Sequence, residues 1–316
     1  MNSEPLRLGV LVVLLLVAGG CTRQALQYTA LDSPSGAARQ VELVATPFHP
    51  QAAYQCGPAA LATLLQSSGV ANADPEQLAE QVYLPGLRGS LQAELLGATR
   101  RAERVPYVLA PRLDDLITEL RAGHPVLVLQ NLRLSPWPQW HYAVVIGFDM
   151  DAQTLVLRSG ETRRHTMSFR RFEQTWHLAD YWAFVVVAPG EIPATATPHR
   201  YVEAVAVLEH QQRFRAAMLA YQAAQVRWPD DPMSYLGLGN IAYTQGAFAL
   251  AADHFRGAIE VAPDLAAAHY NLAWAYLRQG DSSNAQASAR RAERLAPDHP
   301  RYGQAAQLIA EQANTE

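Results

Sequence analysis

The stretch QAAYQCGPAAL, residues 51–61, decides the fold of the first half of this 316-residue chain. Pro58 suits the first turn of a helix, where its missing N–H needs no partner, and apolar residues follow to bury one helix face. Cys56 therefore lies where a helix begins, and the free amides and dipole of that end favour the thiolate form of a cysteine. We expect Gly57 to keep the backbone beside the sulfur open to a substrate.

The helices and strands predicted around this stretch indicate an α+β domain. Most of the helices precede most of the strands, which is typical of that class and not of a repeated βαβ winding. Two of the strands flank an Asp-rich turn, which predicts a hairpin. The predicted helices are 57–68, 74–83, 90–103, 113–122 and 169–176, and the predicted strands are 105–110, 126–130, 142–148, 154–158 and 182–188.

His141 is the histidine that we select as the partner of Cys56. It stands at the start of the apolar strand 142–148, a position that holds an imidazole at one end of a sheet. Trp137 and Trp140, just before it, either form an aromatic wall of a cleft or cover the core. The histidines that we interpret as ordinary surface or core groups are His49, His124, His165 and His177.

Two sequence blocks together resemble a known family. Gln51-x(4)-Cys56-Gly-Pro-Ala-Ala-Leu, followed about 85 residues later by His141-Tyr-Ala-Val-Val-Ile-Gly, resembles the bacteriocin-processing cysteine peptidases, which are papain-like, over roughly residues 45–189. The resemblance implies a peptide or protein substrate in the Cys56 cleft, Cys56 as nucleophile and His141 as general base and acid. It also implies that Gln51 donates a hydrogen bond to the oxyanion. The usual spacing from Gln to Cys in the family is one residue longer than it is in this chain, so Gln55 is the alternative donor.

The third catalytic position departs from the family pattern. The family has an Asp at the end of the strand after the histidine strand, where it orients the imidazole. The predicted hairpin brings residues 159–161, Ser-Gly-Glu, to that place. Ser159 aligns best, and Glu161 is the alternative that supplies a carboxylate. Two hypotheses follow: an active Cys–His peptidase or acyl transferase, and a papain-like binding module without activity.

The N-terminus predicts export and a lipid anchor. Residues 9–17 are an unbroken apolar run, too short to span a bilayer, and small residues lead from it to Cys21. This end resembles the signal peptide of bacterial lipoproteins, which implies that Cys21 is lipidated and holds the chain to a membrane. The alternative is an ordinary signal peptide with a chance cysteine. Thr22, by that family's sorting rule, implies the outer membrane facing the periplasm.

The last third of the chain repeats with a period of 34 residues. The period resembles that of tetratricopeptide repeats, which implies an all-α solenoid and a protein partner bound to it. The positions that share the period are Pro229, Pro263 and Pro297; Gly246 and Gly280; Gly239 and Ala273; Ala217, Ala251 and Ala285; and Ala224, Ala258 and Ala292. We place repeat units at 199–232, 233–266 and 267–300, and a capping helix at 301–316.

These patterns divide the chain into five parts. We assign 1–21 to the signal peptide with its lipidated Cys, 22–44 to a tether, 45–190 to the papain-like domain, 191–198 to a linker and 199–316 to the repeats. If Cys21 carries lipid, Cys56 has no disulfide partner, because the chain has two cysteines.

Composition argues against several classes of function. The net charge is −4 and no basic run is present, so we expect no nucleic-acid partner. All 25 positive charges are Arg, which excludes chemistry that needs a lysine amine. No histidine or cysteine cluster has the spacing of metal ligands and no glycine-rich loop follows a strand, so we expect neither a metal nor a cofactor.

Overall fold

The computed structural model describes residues 26–31, 34–50 and 55–313. Two predictions lie outside these residues: the signal peptide with Cys21, and the oxyanion donor Gln51. The described part confirms the predicted class, an α+β domain followed by an all-α run of helices.

Among the described residues, seven strands form one sheet in which every pair is antiparallel. The strand order is β2-β7-β3-β4-β5-β6, and β1 also pairs with β4. The strands are β1 Gln40–Glu42, β2 Val105–Val108, β3 Val126–Asn131, β4 Trp140–Asp149, β5 Thr154–Ser159, β6 Thr162–Ser168 and β7 Ala183–Val187. The predicted hairpin is confirmed, with Asp149 opposite Thr154 at its turn.

Helices bury both faces of this sheet. Successive residues of β4 alternate between the two cores, with Val144 on one side and Val145 on the other. A strand that is buried on both faces has no polar alternation, which explains the continuous apolar run after His141. One face is covered by α1 Cys56–Ser67, α2 Pro75–Val82 and α3 Gln92–Arg101, and the other by α4 Leu113–Arg121 and α5 Phe169–His177.

The described part of the repeats is a run of seven helices, of which the first six form three two-helix units and the last follows them. The small residues with the 34-residue period are buried where paired helices cross, as in Ala217 and Ala251. A Cβ on Gly239 would lie 2.3 Å from the Phe255 ring, so only glycine fits there. The helices are α6 Pro198–His210, α7 Phe214–Arg227, α8 Pro232–Thr244, α9 Phe248–Val261, α10 Ala266–Arg278, α11 Ser282–Leu295 and α12 Pro300–Ala313.

The predicted linker 191–198 is bound to the first domain through Glu119 of α4. Thr195 donates its N–H (2.7 Å) and its hydroxyl (2.6 Å) to the Glu119 carboxylate, and the Ala194 N–H donates to it at 3.2 Å. His124 lies 2.7 Å from the same carboxylate. Burial acts to raise the pKa of Glu119, and these hydrogen bonds outweigh it, so the pKa lies below its usual value.

The two domains share one apolar core. Tyr201 and Val205 of α6 are fully buried in the same cluster as Val105 and Tyr107 of β2. Tyr201 also donates its hydroxyl to the Glu191 carbonyl at 3.1 Å. The first repeat helix is therefore part of the packing of the sheet domain.

Part of the predicted tether is also docked on the first domain. A short 3-10 helix, Gln27–Ala30, presents its first backbone amides to the fully buried carboxylate of Glu173 in α5. The Gln27 side chain donates to the Pro111 carbonyl (3.0 Å) and accepts from the Leu113 N–H (2.7 Å). Residues 26–31 are therefore held against the domain, because a buried carboxylate needs hydrogen-bond donors.

Candidate active site

Cys56 is the first residue of α1, and the residues that follow it are buried against β4. Backbone amides of Tyr142, Gly57 and Cys56 lie close enough to hydrogen-bond the sulfur. Burial raises the pKa of the Cys56 thiol, and these amides act in the opposite direction because they stabilise the thiolate. The thiol is therefore held beside the strand that carries His141.

His141 is the second residue of β4 and the immediate neighbour of Tyr142. Its Nε2 lies 2.8 Å from the hydroxyl oxygen of Ser159, the last residue of β5. Because Nε2 is engaged by Ser159, Nδ1 is the ring nitrogen that this contact leaves unbonded. Burial lowers the pKa of His141, and the charge of His165 adds to this, so the imidazole is held in its neutral, proton-accepting form.

The structure brings Ser159 against His141 at the place where the hairpin pattern put it. Glu161, the alternative, is exposed beyond the end of β5, and Gly160 between them adopts a positive φ of 58°. Asp149 lies at the opposite end of the hairpin. The group on Nε2 is thus a hydroxyl, which can orient the ring but cannot balance the charge of an imidazolium as a carboxylate does.

Known family models match both domains of the chain. A family model described as "Peptidase_C39 like family" matches residues 40–183. The first domain is a peptidase C39-like domain. Two tetratricopeptide-repeat models match residues 201–266 and 242–309, so the second domain consists of such repeats. No curated protein matches the chain.

Several solved structures also match this chain, with low sequence identity and low TM-scores. The first tetratricopeptide domain of Spaghetti (RPAP3), solved with an HSP90 peptide, is 16% identical, covers 38% of this chain and 94% of its own, and has a TM-score of 0.35. The MamA RS-1 ArsTM double mutant is 18% identical, with 37% and 66% covered and a TM-score of 0.34. The Yersinia enterocolitica chaperone SycD is 17% identical, with 38% and 90% covered and a TM-score of 0.34. No property of these proteins transfers to this chain.

Gly57 of the C39-like domain is required for packing, which differs from the open backbone that we expected. It is buried, and an added Cβ would lie 2.6 Å from the Ser90 hydroxyl oxygen. The Ser90 carbonyl in turn accepts a hydrogen bond from the Tyr142 hydroxyl at 3.0 Å. Ser90 therefore ties the start of α1 to the histidine strand.

Arg158 supports the site, and sequence reasoning missed it. Its side chain is 5% exposed and donates to the carbonyls of Thr46 (2.9 Å) and Val44 (3.2 Å). These bonds hold the segment that leads toward Cys56 against the strand that ends in Ser159. An arginine inside an otherwise apolar strand was the signal, because a buried guanidinium needs several acceptors.

The remaining sequence candidates occupy other places. Trp137 and Trp140 are 73% and 53% exposed, so neither covers the core. Gln55, the alternative oxyanion donor, is partly exposed at the residue before α1. The contacts of the other histidines are His49 with Gln66, His124 with Glu119 and His177 with the Tyr181 ring.

The repeats carry a second candidate site, a cavity of about 410 Å³. Aromatic and amide side chains line the cavity, and most of them come from the first helix of each of two repeat units. Asn271 donates to the Asn240 side-chain oxygen at 2.9 Å, and both side chains line the cavity. The lining residues are Asn240, Tyr243, Thr244, Phe255, Tyr270, Asn271 and Trp274.

Two further properties of the described residues concern metal sites and membrane spans. Within 26–31, 34–50 and 55–313, no group of three or more His, Cys, Asp and Glu side chains is placed to hold a metal ion. None of the helices in the part of the chain that the structure describes combines the length and apolarity that crossing a bilayer requires.

Proposed function

We propose that this protein is a cysteine peptidase, anchored by lipid to the bacterial cell envelope, whose repeats bind a protein partner. The observation that carries the proposal is the arrangement of Cys56 beside the amide of Tyr142, with His141 next along the strand and fixed by Ser159. A thiol at a helix start, a neutral imidazole on the adjoining strand and a group that orients the ring are the parts of nucleophilic catalysis.

In the proposed reaction, Nδ1 of His141 accepts the thiol proton of Cys56 as the sulfur attacks the carbonyl carbon of a peptide bond. The C=O electron pair moves onto the oxygen, which the Cys56 N–H and the side chain of Gln51, or alternatively Gln55, stabilise. The imidazolium then gives its proton to the leaving amine as the C–N bond breaks. Water, deprotonated by the same imidazole, hydrolyses the thioester and restores the thiol.

A second candidate function is a papain-like binding module without activity. Ser159 favours it, because a hydroxyl stabilises the imidazolium less than the carboxylate that the family pattern has at that place. The presence of both Cys56 and His141 favours catalysis, since a thiol ionises more easily than a hydroxyl and works in a dyad. We place catalysis first on that ground.

The experiment that separates these functions uses residues 22–316, which include every described residue, and a peptidyl chloromethyl ketone. An active dyad predicts alkylation at Cys56, located by mass spectrometry, that is lost in His141→Ala. His199→Ala is the matched control, because His199 has a side chain that is 82% exposed on α6. Labelling that is equally slow in all three proteins would support the binding module instead.

For the repeats, we propose that the cavity around Asn240 binds an extended peptide segment of the partner. Amide side chains pair with peptide groups, and the aromatic walls cover apolar side chains. Peptides selected from a random library on residues 22–316 should lose binding to Asn271→Ala and Trp274→Ala. They should keep binding to Val226→Ser, a matched surface variant at a residue that is 87% exposed. Peptides that bind all four proteins equally would argue against this cavity.

For the anchor, we propose that Cys21 is lipidated and that the chain is held at the outer membrane, facing the periplasm. The support is the sequence that precedes Cys21. Mass spectrometry of the N-terminal peptide from the natural host should show an acylated Cys21 as the first residue. A Cys21→Ser chain should keep its signal peptide and carry no lipid; an unmodified Cys21 in the wild-type protein would contradict the proposal.

A further inference from the structure

The connection between β3 and β4, together with the first residue of β4, exposes an unusual set of apolar side chains. We call residues 132–140 the tryptophan loop. Its large apolar residues and their exposures are Leu132 41%, Leu134 69%, Trp137 73% and Trp140 53%. Contiguous exposed apolar patches mark surfaces that meet a partner or a membrane, whereas single exposed residues do not.

The loop has a defined shape. The buried side chain of Asn131 accepts hydrogen bonds from the backbone amides of Arg133 (3.1 Å) and Gln139 (2.9 Å), which lie on its two sides. Within the loop, the Trp137 N–H donates to the Leu134 carbonyl at 3.0 Å. The backbone is thus satisfied internally while Leu134 and Trp137 project outward.

The docked N-terminal segment lies at the same end of the sheet as this loop. Gln27 contacts Glu173 in α5, and two residues further along that helix Thr175 accepts from the Gln130 side chain at 2.6 Å. Gln130 pairs with His141, and the next pair along the strands is where the tryptophan loop begins. The docked segment, from which the chain continues back to Cys21, therefore lies near the tryptophan loop and His141.

The length of the intervening chain limits how far the anchor can be. Gln27 lies six positions after Cys21 in the sequence. Because an extended chain spans about 3.5 Å per residue, a lipid on Cys21 holds Gln27 within roughly 20 Å of the bilayer surface. That end of the sheet then faces the membrane, since the docked segment prevents the domain from moving away on a long tether.

We propose that the tryptophan loop inserts into the headgroup region of the membrane and turns the Cys56 cleft toward the bilayer. The inference rests on the lipid anchor of the proposed function. Trp side chains favour the membrane–water interface, where the ring is half apolar and half polar, and Leu134 adds apolar area. Arg133 is the loop's single charged residue, a charge that suits anionic headgroups. Because the short anchor keeps the tryptophan loop near the bilayer, we expect the loop to contact a membrane and not a soluble polypeptide.

The test uses residues 22–316, which carry no lipid, with vesicles of phosphatidylethanolamine and phosphatidylglycerol whose acyl chains are brominated. We expect tryptophan emission to shift to shorter wavelength and to be quenched by the bromines. Both effects should be lost in the double variant Leu134→Ser/Trp137→Ser. The matched control, Leu219→Ser/Val226→Ser, removes two exposed apolar residues of α7 and should behave as wild type.

The same proteins are also labelled at Cys56, which separates this inference from the proposed activity. Iodoacetamide labelling in the loop variant should equal that of wild type, because both replaced side chains are exposed. No quenching in the wild type, or equal quenching in the loop variant, would overturn the membrane contact whatever the labelling shows. A loop variant that reacts normally with iodoacetamide but slowly with the peptidyl chloromethyl ketone would assign the loop to substrate binding and would also overturn it.

Discussion

The imidazole Nε2 of His141 lies 2.8 Å from the hydroxyl oxygen of Ser159. This contact fixes the imidazole through Nε2, and the group that fixes it carries no charge. A carboxylate in this position holds the ring and also stabilises its protonated form. The Ser159 hydroxyl holds the ring but has no charge with which to stabilise its protonated form. The site therefore orients the imidazole and stabilises the thiolate–imidazolium pair little.

Restoring a carboxylate at position 159 should therefore increase reactivity. In Ser159→Asp, an anion beside Nε2 should raise the pKa of His141 and favour the thiolate–imidazolium pair. A rise of one unit corresponds to roughly a tenfold increase in the paired state. We expect a similar increase in the rate of Cys56 alkylation at pH 7. Ser159→Asn is the uncharged control; equal rates in the Asp and Asn variants would show that charge at this place has no effect.

The pH dependence of Cys56 alkylation should reflect the pKa shifts of both His141 and Cys56. Burial lowers the pKa of His141 below its ordinary 6.5, so the base form persists on acidification and the wild-type rate should fall only below that pH. In His141→Ala no base remains, and burial raises the pKa of Cys56 above its ordinary 9.0, so labelling should appear only in alkaline solution. Superimposable profiles for the two proteins would contradict a role for His141.

Close contact between Gly239 and the Phe255 ring makes this helix crossing sensitive to a single methyl group. Gly239→Ala gains about 1 kcal/mol of helix propensity. The new Cβ would lie 2.3 Å from the Phe255 ring, and overpacking of this kind costs about 1–3 kcal/mol. We expect a net loss in the free energy of unfolding, measured in urea. Gly190→Ala, where the added Cβ has no neighbour within 4 Å, is the control and should change stability little.

The Glu119 carboxylate should be a main attachment between the two domains. Glu119→Ala leaves the N–H groups of Ala194 and Thr195 without their acceptor, at a cost of roughly 3 kcal/mol for a buried charged network. Because the pKa of Glu119 lies below its usual 4.5, its contribution is present above that pH and is lost as pH falls through the lowered value. Urea unfolding at pH 7 and pH 4 should therefore show a smaller acid loss in the variant.

The control for this prediction is Asp114→Ala, an exposed residue of the same helix. It should keep both the stability and the pH dependence of the wild type. If Glu119→Ala matched the control, the carboxylate would be a passive neighbour of the 191–198 segment.

Much of this fold could be predicted because its signals are local. The apolar run of β4 and the Pro58 helix start need only the periodicity of burial, and the 34-residue repeat needs only counting. Two strands were missed. β6 is mostly exposed and rich in Arg, so its pairing with β5 leaves no apolar alternation. β1 has three residues, of which one is exposed and two are partly exposed.

Long-range contacts explain what the sequence could not indicate. The segment 191–198 has the composition of a linker, yet Glu119, more than seventy residues earlier, binds it. The N-terminal residues read as a tether because the acceptor for Gln27 lies 146 positions away in α5. Ser159 could be placed beside His141, since hairpin register is set by a nearby turn. Arg158, the residue before it, is an arginine within an apolar strand, which indicates that its guanidinium needs acceptors. Only the structure identifies those acceptors as the carbonyls of Thr46 and Val44.

The central claim is that His141 activates the thiol of Cys56, and the rate of Cys56 alkylation by iodoacetamide at pH 7 tests it most directly. Wild type, His141→Ala and His199→Ala are compared in residues 22–316, with folding checked by circular dichroism. The account predicts fast alkylation in wild type and His199→Ala, and a loss of at least about tenfold in His141→Ala, since general-base assistance contributes about 10²–10⁴-fold. Equal rates in all three folded proteins would contradict it.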